Sequence, residues 1–101
     1  MSTTYQIVYW RDIPAQIKLR STQGRLARSL SPRFQEAIDA AAMRASATTT
    51  DDYLEDWRTS EPQQGEGDPE RIADVLAAEI EAAYSTDRLD ELVANKGFEK
   101  Q

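Results

Sequence analysis

Apolar and polar residues alternate along the first third of the chain with the period of two that a half-buried strand requires. Tyr5, Ile7 and Tyr9 alternate with Gln6, Val8 and Trp10. After a turn at Asp12-Ile13-Pro14, Ala15, Ile17 and Leu19 alternate with Gln16, Lys18 and Arg20. Pro14 cannot donate to a ladder, so it belongs in the turn or at the first position of the second strand. It also pushes Ile13 toward extended geometry. Ser21-Thr22-Gln23-Gly24 reads as a second turn. Arg25 to Leu30 follows as a short third strand, with Leu26 and Arg28 on one face and Ala27 on the other. Together these segments predict an antiparallel meander over about residues 4–30.

From Ser31 the period lengthens to that of a helix. Ser31-Pro32 is a start signal, with Ser as cap and Pro at the first helical position, where its missing N–H costs nothing. Phe34, Ala37, Ile38, Ala41, Ala42 and Ala45 then make one apolar stripe, and its small residues let the helix lie close to a sheet. The pattern breaks over 46–50, where Thr50 is expected to cap a short helix or turn holding Tyr53, Leu54 and Trp57. Residues 59–67 read as loop, part of which can run as an edge strand. Asp68-Pro69 repeats the cap-plus-proline signal before Ile72, Val75, Leu76, Ile80, Ala83 and Tyr84. Ser85-Thr86 restarts a final helix with Leu89, Leu92 and Val93 inward. Gly97 suits the left-handed position after its end, with Phe98 folding back on Val93.

These elements predict one α+β domain over 1–101, with a helical part at about 31–98. Its three- or four-stranded antiparallel sheet begins with an N-terminal β-hairpin and is covered on one face by about three helices. A chain of 101 residues, 40% apolar and 30% charged, suits one modest core rather than an enclosed substrate cavity.

Charge and missing residue types narrow the chemistry. The net charge of −6 divides into +4 over residues 1–50 and −10 over 51–101. Such a split suggests internal complementarity or two functional faces. An acidic half repels phosphate, which disfavours nucleic acid as the main partner. With no Cys and no His, disulfides, thiolate nucleophiles and imidazole acid–base catalysis are excluded, and so in practice is structural zinc. No apolar run approaches the roughly 20 residues of a membrane span, and MSTTYQ does not begin a signal peptide. The expectation is a bacterial cytoplasmic location with no membrane partner.

Four constellations invite a chemical reading. Trp10-Arg11-Asp12 offers an aromatic plane beside a guanidinium, which can receive a partner side chain or an anion. The bland alternative packs Trp10 as core and pairs Arg11 with Asp12 across the turn. Tyr53, Trp57 and Arg58 form either a satellite core with Leu54 or a partner-facing aromatic patch. Lys18 and Arg20 share a strand face, and with Arg25 and Arg28 they form a solvated basic face or a partner for the acidic half. Asp51, Asp52, Glu55 and Asp56 sit at helical spacing without an EF-hand pattern, so dipole-favoured acids of a helix start explain them better than a metal does. The second acidic group, Glu66, Asp68, Glu70 and Asp74, reads the same way. No base exists to activate a Ser or Thr, so an enzyme is not expected, nor a cofactor.

YWRDIPAQI at 9–17, RFQEAIDAAAMRA at 33–45 and YLEDWR at 53–58 resemble the virulence factor domain family in order and spacing. This is the small domain also found at the end of larger conserved virulence factor C-type proteins. The resemblance spans about Tyr5 to Phe98. It implies a name taken from a phenotype of longer members, which join this domain to helical repeats and an iron–sulfur-scaffold-like domain. Stand-alone versions resemble accessory proteins near one-carbon metabolism. The family blocks map onto Trp10, Arg11, Asp12, Arg44, Trp57 and Arg58 as the partner- or ligand-binding candidates. The expectation is a non-catalytic accessory domain with a protein partner, its rival a subunit that holds a small anionic ligand for a partner enzyme.

Overall fold

A computed structural model describes residues 2–46 and 50–99, with the side chains of 50–52 outside the description. The chain runs β1 (Ser2–Trp10), β2 (Ile13–Ser21), β3 (Gly24–Ser29), α1 (Pro32–Arg44), α2 (Thr50–Glu55), β4 (Trp57–Thr59), β5 (Gln63–Glu66), α3 (Pro69–Ala83) and α4 (Thr86–Ala94). The fold is α+β, led by the predicted hairpin, but the sheet has five strands and the helices number four among the described residues. All pairings are antiparallel. β3, β2 and β1 are successive neighbours, and the outer edge of β1 is shared by β4, opposite Val8–Trp10, and β5, opposite Ser2–Tyr5. β5 is the edge strand allowed within 59–67, whereas β4 corrects the expectation that Trp57 belongs to a short helix or turn. Their sequences, WRT and QQGE, carry no apolar alternation. They become strands because the second edge of the nine-residue β1 presents N–H and C=O groups that need partners.

The hairpin turn also sits one residue earlier than predicted. Trp10 pairs with Ile13 and Tyr9 with Pro14, which leaves Arg11-Asp12 as the turn and puts Arg11 in the left-handed region at φ 54°. Pro14 falls at the second position of β2. The register shifts between Val8 and Tyr9, and Ala15 is the unpaired extra residue. A bulge tolerates a proline that cannot donate, and it bends and twists its strand. Beyond it Trp10 and Ile13 are both completely buried.

Ile17 and Leu19 of β2 meet Trp10, Ile13, Phe34, Ile38, Ala41, Ala73, Leu89 and Leu92 in one core, with Tyr5, Ile7 and Leu26 packed against it. The helices therefore cover one face of the sheet. The α1 stripe is buried as its spacing predicts. In α3 the stripe is rotated: Ala73 is fully buried, whereas Val75 is half exposed and Ala83 exposed. Ala73 and Ala77 let α3 lie close, and the larger Val75 faces out.

Neither Ser31 nor Asp68 caps its own helix with its side chain. Instead the Ser31 backbone N–H and hydroxyl both donate to the Glu81 carboxylate of α3, at 2.8 and 2.9 Å. Arg33 donates to the same carboxylate and to the Glu81 and Tyr84 carbonyls, so the open end of α3 is satisfied from α1. Ser85 does cap α4, accepting from the Arg88 N–H.

Partial burial pushes the Glu81 carboxyl up, but the Ser31 and Arg33 hydrogen bonds outweigh it and leave its pKa below the ordinary 4.5. A depressed carboxylate stabilises the fold above its unfolded pKa, and that contribution is lost as pH falls through the folded value. Urea denaturation from neutral pH to about pH 3 should show stability declining once pH drops below 4.5. Glu81→Gln should be less stable at neutral pH and should flatten part of that decline. Parallel pH profiles for the two proteins would refute the assignment.

Candidate functional site

The Trp10-Arg11-Asp12 tip meets the end of α2 and the segment after α4. The Trp10 indole N–H donates to the Tyr53 carbonyl at 2.9 Å, and its ring stacks on Tyr53 at 5.9 Å. Tyr53 in turn makes an edge contact with Trp57 at 5.7 Å. Trp57 is the first residue of β4 rather than part of a helix, yet it still meets Tyr53.

Arg11 lies between two rings, its guanidinium carbon 4.7 Å from the centroids of both Trp10 and Phe98. Its Nε and Nη2 donate to Asp56 Oδ2 at 3.1 Å, and Nη1 donates to the Lys96 carbonyl at 2.6 Å. Asp12 does not pair with Arg11. Its backbone N–H donates to the Gly97 carbonyl, and its carboxylate accepts from Arg58 and from the Glu99 N–H. Arg58 also donates to the Arg11 carbonyl and lies over Tyr9. The Glu99 carboxylate binds Arg88 and pushes that guanidinium's pKa further up.

α4 ends in a Schellman arrangement, one residue away from the expected place. Lys96 takes the left-handed position at φ 62°, donating to the Val93 carbonyl, and the Gly97 N–H reaches Leu92. Gly97 is needed twice over: its φ of 94° favours glycine, and a Cβ there would lie 2.9 Å from Trp10 and 3.1 Å from Arg11. The Phe98 ring covers Arg11.

Of the six candidate residues, then, Trp10, Arg11, Asp12, Trp57 and Arg58 converge. Arg44 stands apart in the exposed last turn of α1. The convergence is a clasp whose groups are spent on one another. Trp10 is 0% exposed and all three Arg11 nitrogens donate internally, so neither presents a surface to a partner.

The opposite sheet face is built differently. The β2–β3 turn pairs Arg20 with Arg25 and Lys18 with Ala27, while β1 sets Thr4 beside Arg20 and Gln6 beside Lys18. Thr4, Arg20 and Arg25 thus form one cross-strand row, and Gln6, Lys18 and Ala27 the next. These residues and Pro62 line an open cleft of about 550 Å³. Lys18, Arg20 and Arg25 are exposed and form no ion pair among the described residues. Arg28, on the other face, pairs with Asp74 of α3. Sequence spacing alone linked only Lys18 with Arg20. The signal that adds Arg25 is the two-residue turn at Thr22-Gln23, which sets the register. Among the described residues no group of carboxylates can hold a metal ion, and the cluster's Asp51 and Asp52 side chains lie outside them. No described helix is long and apolar enough to cross a membrane.

Trp10→Ala should cost about 3–5 kcal/mol of unfolding free energy and Arg11→Ala about 2 kcal/mol. Arg11→Lys should not restore the loss, because an ammonium cannot bridge Asp56 and the Lys96 carbonyl while stacked between rings. Gly97→Ala should lower stability by about 1–3 kcal/mol through overpacking. Chemical denaturation measures all four, and wild-type midpoints for Trp10→Ala and Arg11→Ala would show that the clasp is not structural.

The family model described as Virulence factor matches residues 8–93, from mid-β1 almost to the end of α4. No curated protein and no solved structure matches the chain.

Proposed function

The chain belongs to the virulence factor family, and from that premise we propose that it is a non-catalytic accessory domain that recognises an anionic group through the open face of its sheet. One observation carries this reading. Lys18, Arg20 and Arg25 gather on that face with no acidic partner among the described residues, in a chain whose net charge is −6. Every other arginine placed in the clasp or between helices is matched by a carboxylate.

The composition supports a binding role over a catalytic one. A nucleophilic Ser or Thr needs an adjacent base, and the chain has no His to supply it. Lys18 sits exposed beside two arginines, so no apolar burial tunes it as a base. The partner's acidic group is therefore recognised by charge and hydrogen bonding, and partner choice follows electrostatic complementarity.

Tagged domain expressed in its host should retain a stoichiometric partner, released as ionic strength rises past the screening range of about 0.1–0.15 M. Lys18→Glu, Arg20→Glu and Arg25→Glu combined should abolish retention while the melting temperature stays within a few degrees of wild type. Undiminished retention by a folded triple variant would overturn the proposal.

A further inference from the structure

Resting on that reading of the open face, we infer that Arg20 and Arg25 form a two-armed clamp for a small, multiply charged phosphate-type anion. The two residues are directly opposite in neighbouring antiparallel strands. Their side chains therefore start about 5 Å apart and rise from the same face. Like charges in that relation oppose strand pairing, and here Lys18 adds a third on the same face, two residues along β2. Salt bridges relieve such crowding elsewhere in the fold, as with Arg28 and Asp74 or Arg33 and Glu81, but not here. Glu66, the one carboxylate on the described strands, lies opposite Ser2, a row beyond Thr4. A bound dianion supplies the missing countercharge.

Geometry favours a tetrahedral anion over a single carboxylate. Two guanidiniums arriving from different strands can take separate oxygen edges of a phosphate, whereas one carboxylate edge is filled by one arginine. Lys18 adds a point charge from the next row, and Thr4 stands beside Arg20 in the arginine row, with Gln64 of β5 beyond it. Gln6 is steadied by its bond to the Ser60 carbonyl, which brings the 60–62 loop to the cleft, where Pro62 forms part of the wall.

Size and lining limit the ligand further. The cleft of about 550 Å³ falls among small-molecule sites rather than extended interfaces. No aromatic residue lines it, so it offers no platform on which bases stack. The chemistry described is that of a phosphorylated small molecule held by its phosphates.

The test uses the full chain with pyrophosphate and inorganic phosphate as probes, against sodium chloride at equal ionic strength. Pyrophosphate should raise the melting temperature and shift backbone amides of β1–β3 in heteronuclear NMR, with inorganic phosphate weaker. Arg20→Ala or Arg25→Ala should weaken binding at least tenfold, and Arg20→Lys should not restore it. Without anion, the Arg20→Ala/Arg25→Ala double variant should melt no lower than wild type; with pyrophosphate, wild type should overtake it. Absence of any pyrophosphate effect at millimolar concentration, or equal binding by the double variant, would sink the clamp. Binding of a polyglutamate peptide without pyrophosphate binding would also sink it while sparing the broader reading. A face that takes neither probe counts against both.

Discussion

The Arg11 guanidinium is stacked between the Trp10 and Phe98 rings, with Asp56 on one edge and the Lys96 carbonyl on the other. These contacts join positions 11, 56 and 96–98, so the hairpin, the α2–β4 junction and the end of α4 close on one point. Such long-range contacts form only when the chain between them is already ordered, because loop closure costs entropy before the contact rewards it. Each supporting feature is likewise conditional. Trp10 must be buried for Arg11 to lie on it, α4 must end in a left-handed turn at Lys96, and Gly97 must lack a Cβ. The clasp is thus a cooperative unit rather than a sum of exposed ion pairs, each of which alone would contribute little. It also explains why a Trp-Arg-Asp string can look like a recognition surface while serving the fold.

The parts of this architecture visible in sequence are those governed by local periodicity. The first two strands, the α1 stripe from Phe34 to Ala42 and the short α4 follow from spacing alone. The parts that are not visible depend on a distant partner. WRT and QQGE become strands because β1 needs neighbours, and no pattern within those few residues announces it. The turn moved to Arg11-Asp12 because Pro14 was accommodated in a bulge, an alternative its missing N–H permits as readily as the turn itself. Gly97 does adopt a positive φ as its place after α4 predicts, but Lys96 takes the first left-handed position, and the close approach of Trp10 adds a demand for glycine that no local pattern shows. Five of the six candidate residues meet in the structure. Their role was illegible, since Asp56, the Lys96 carbonyl and Phe98 lie 45 or more positions from Arg11.

The charge asymmetry has a layered explanation. Five cations and one carboxylate occupy the described strands, while the acidic residues lie in helices and connections. Three cations on the helix side or at the hairpin tip meet that acid directly: Arg28 with Asp74, Arg33 of α1 with Glu81, Arg11 with Asp56. Part of the split between chain halves is therefore internal complementarity.

Arg44, Arg71 and Lys96 are scattered cations without an ion pair among the described residues; Lys18, Arg20 and Arg25 are the ones gathered together, and the sheet itself keeps them unmatched. A helix layer packs about 10 Å from the sheet it covers, so α3 and α4 carboxylates on its far side are at least that distant from the open face. That separation is about one Debye length at 0.1 M salt, and the path between solvent-exposed charges is screened further. The α3 and α4 carboxylates are thus screened from the open face, where three cations act on one another at short range and Glu66 lies a row away. A domain that is acidic as a whole can in this way present a locally basic surface, with its sign set by which side of a single sheet the charges occupy.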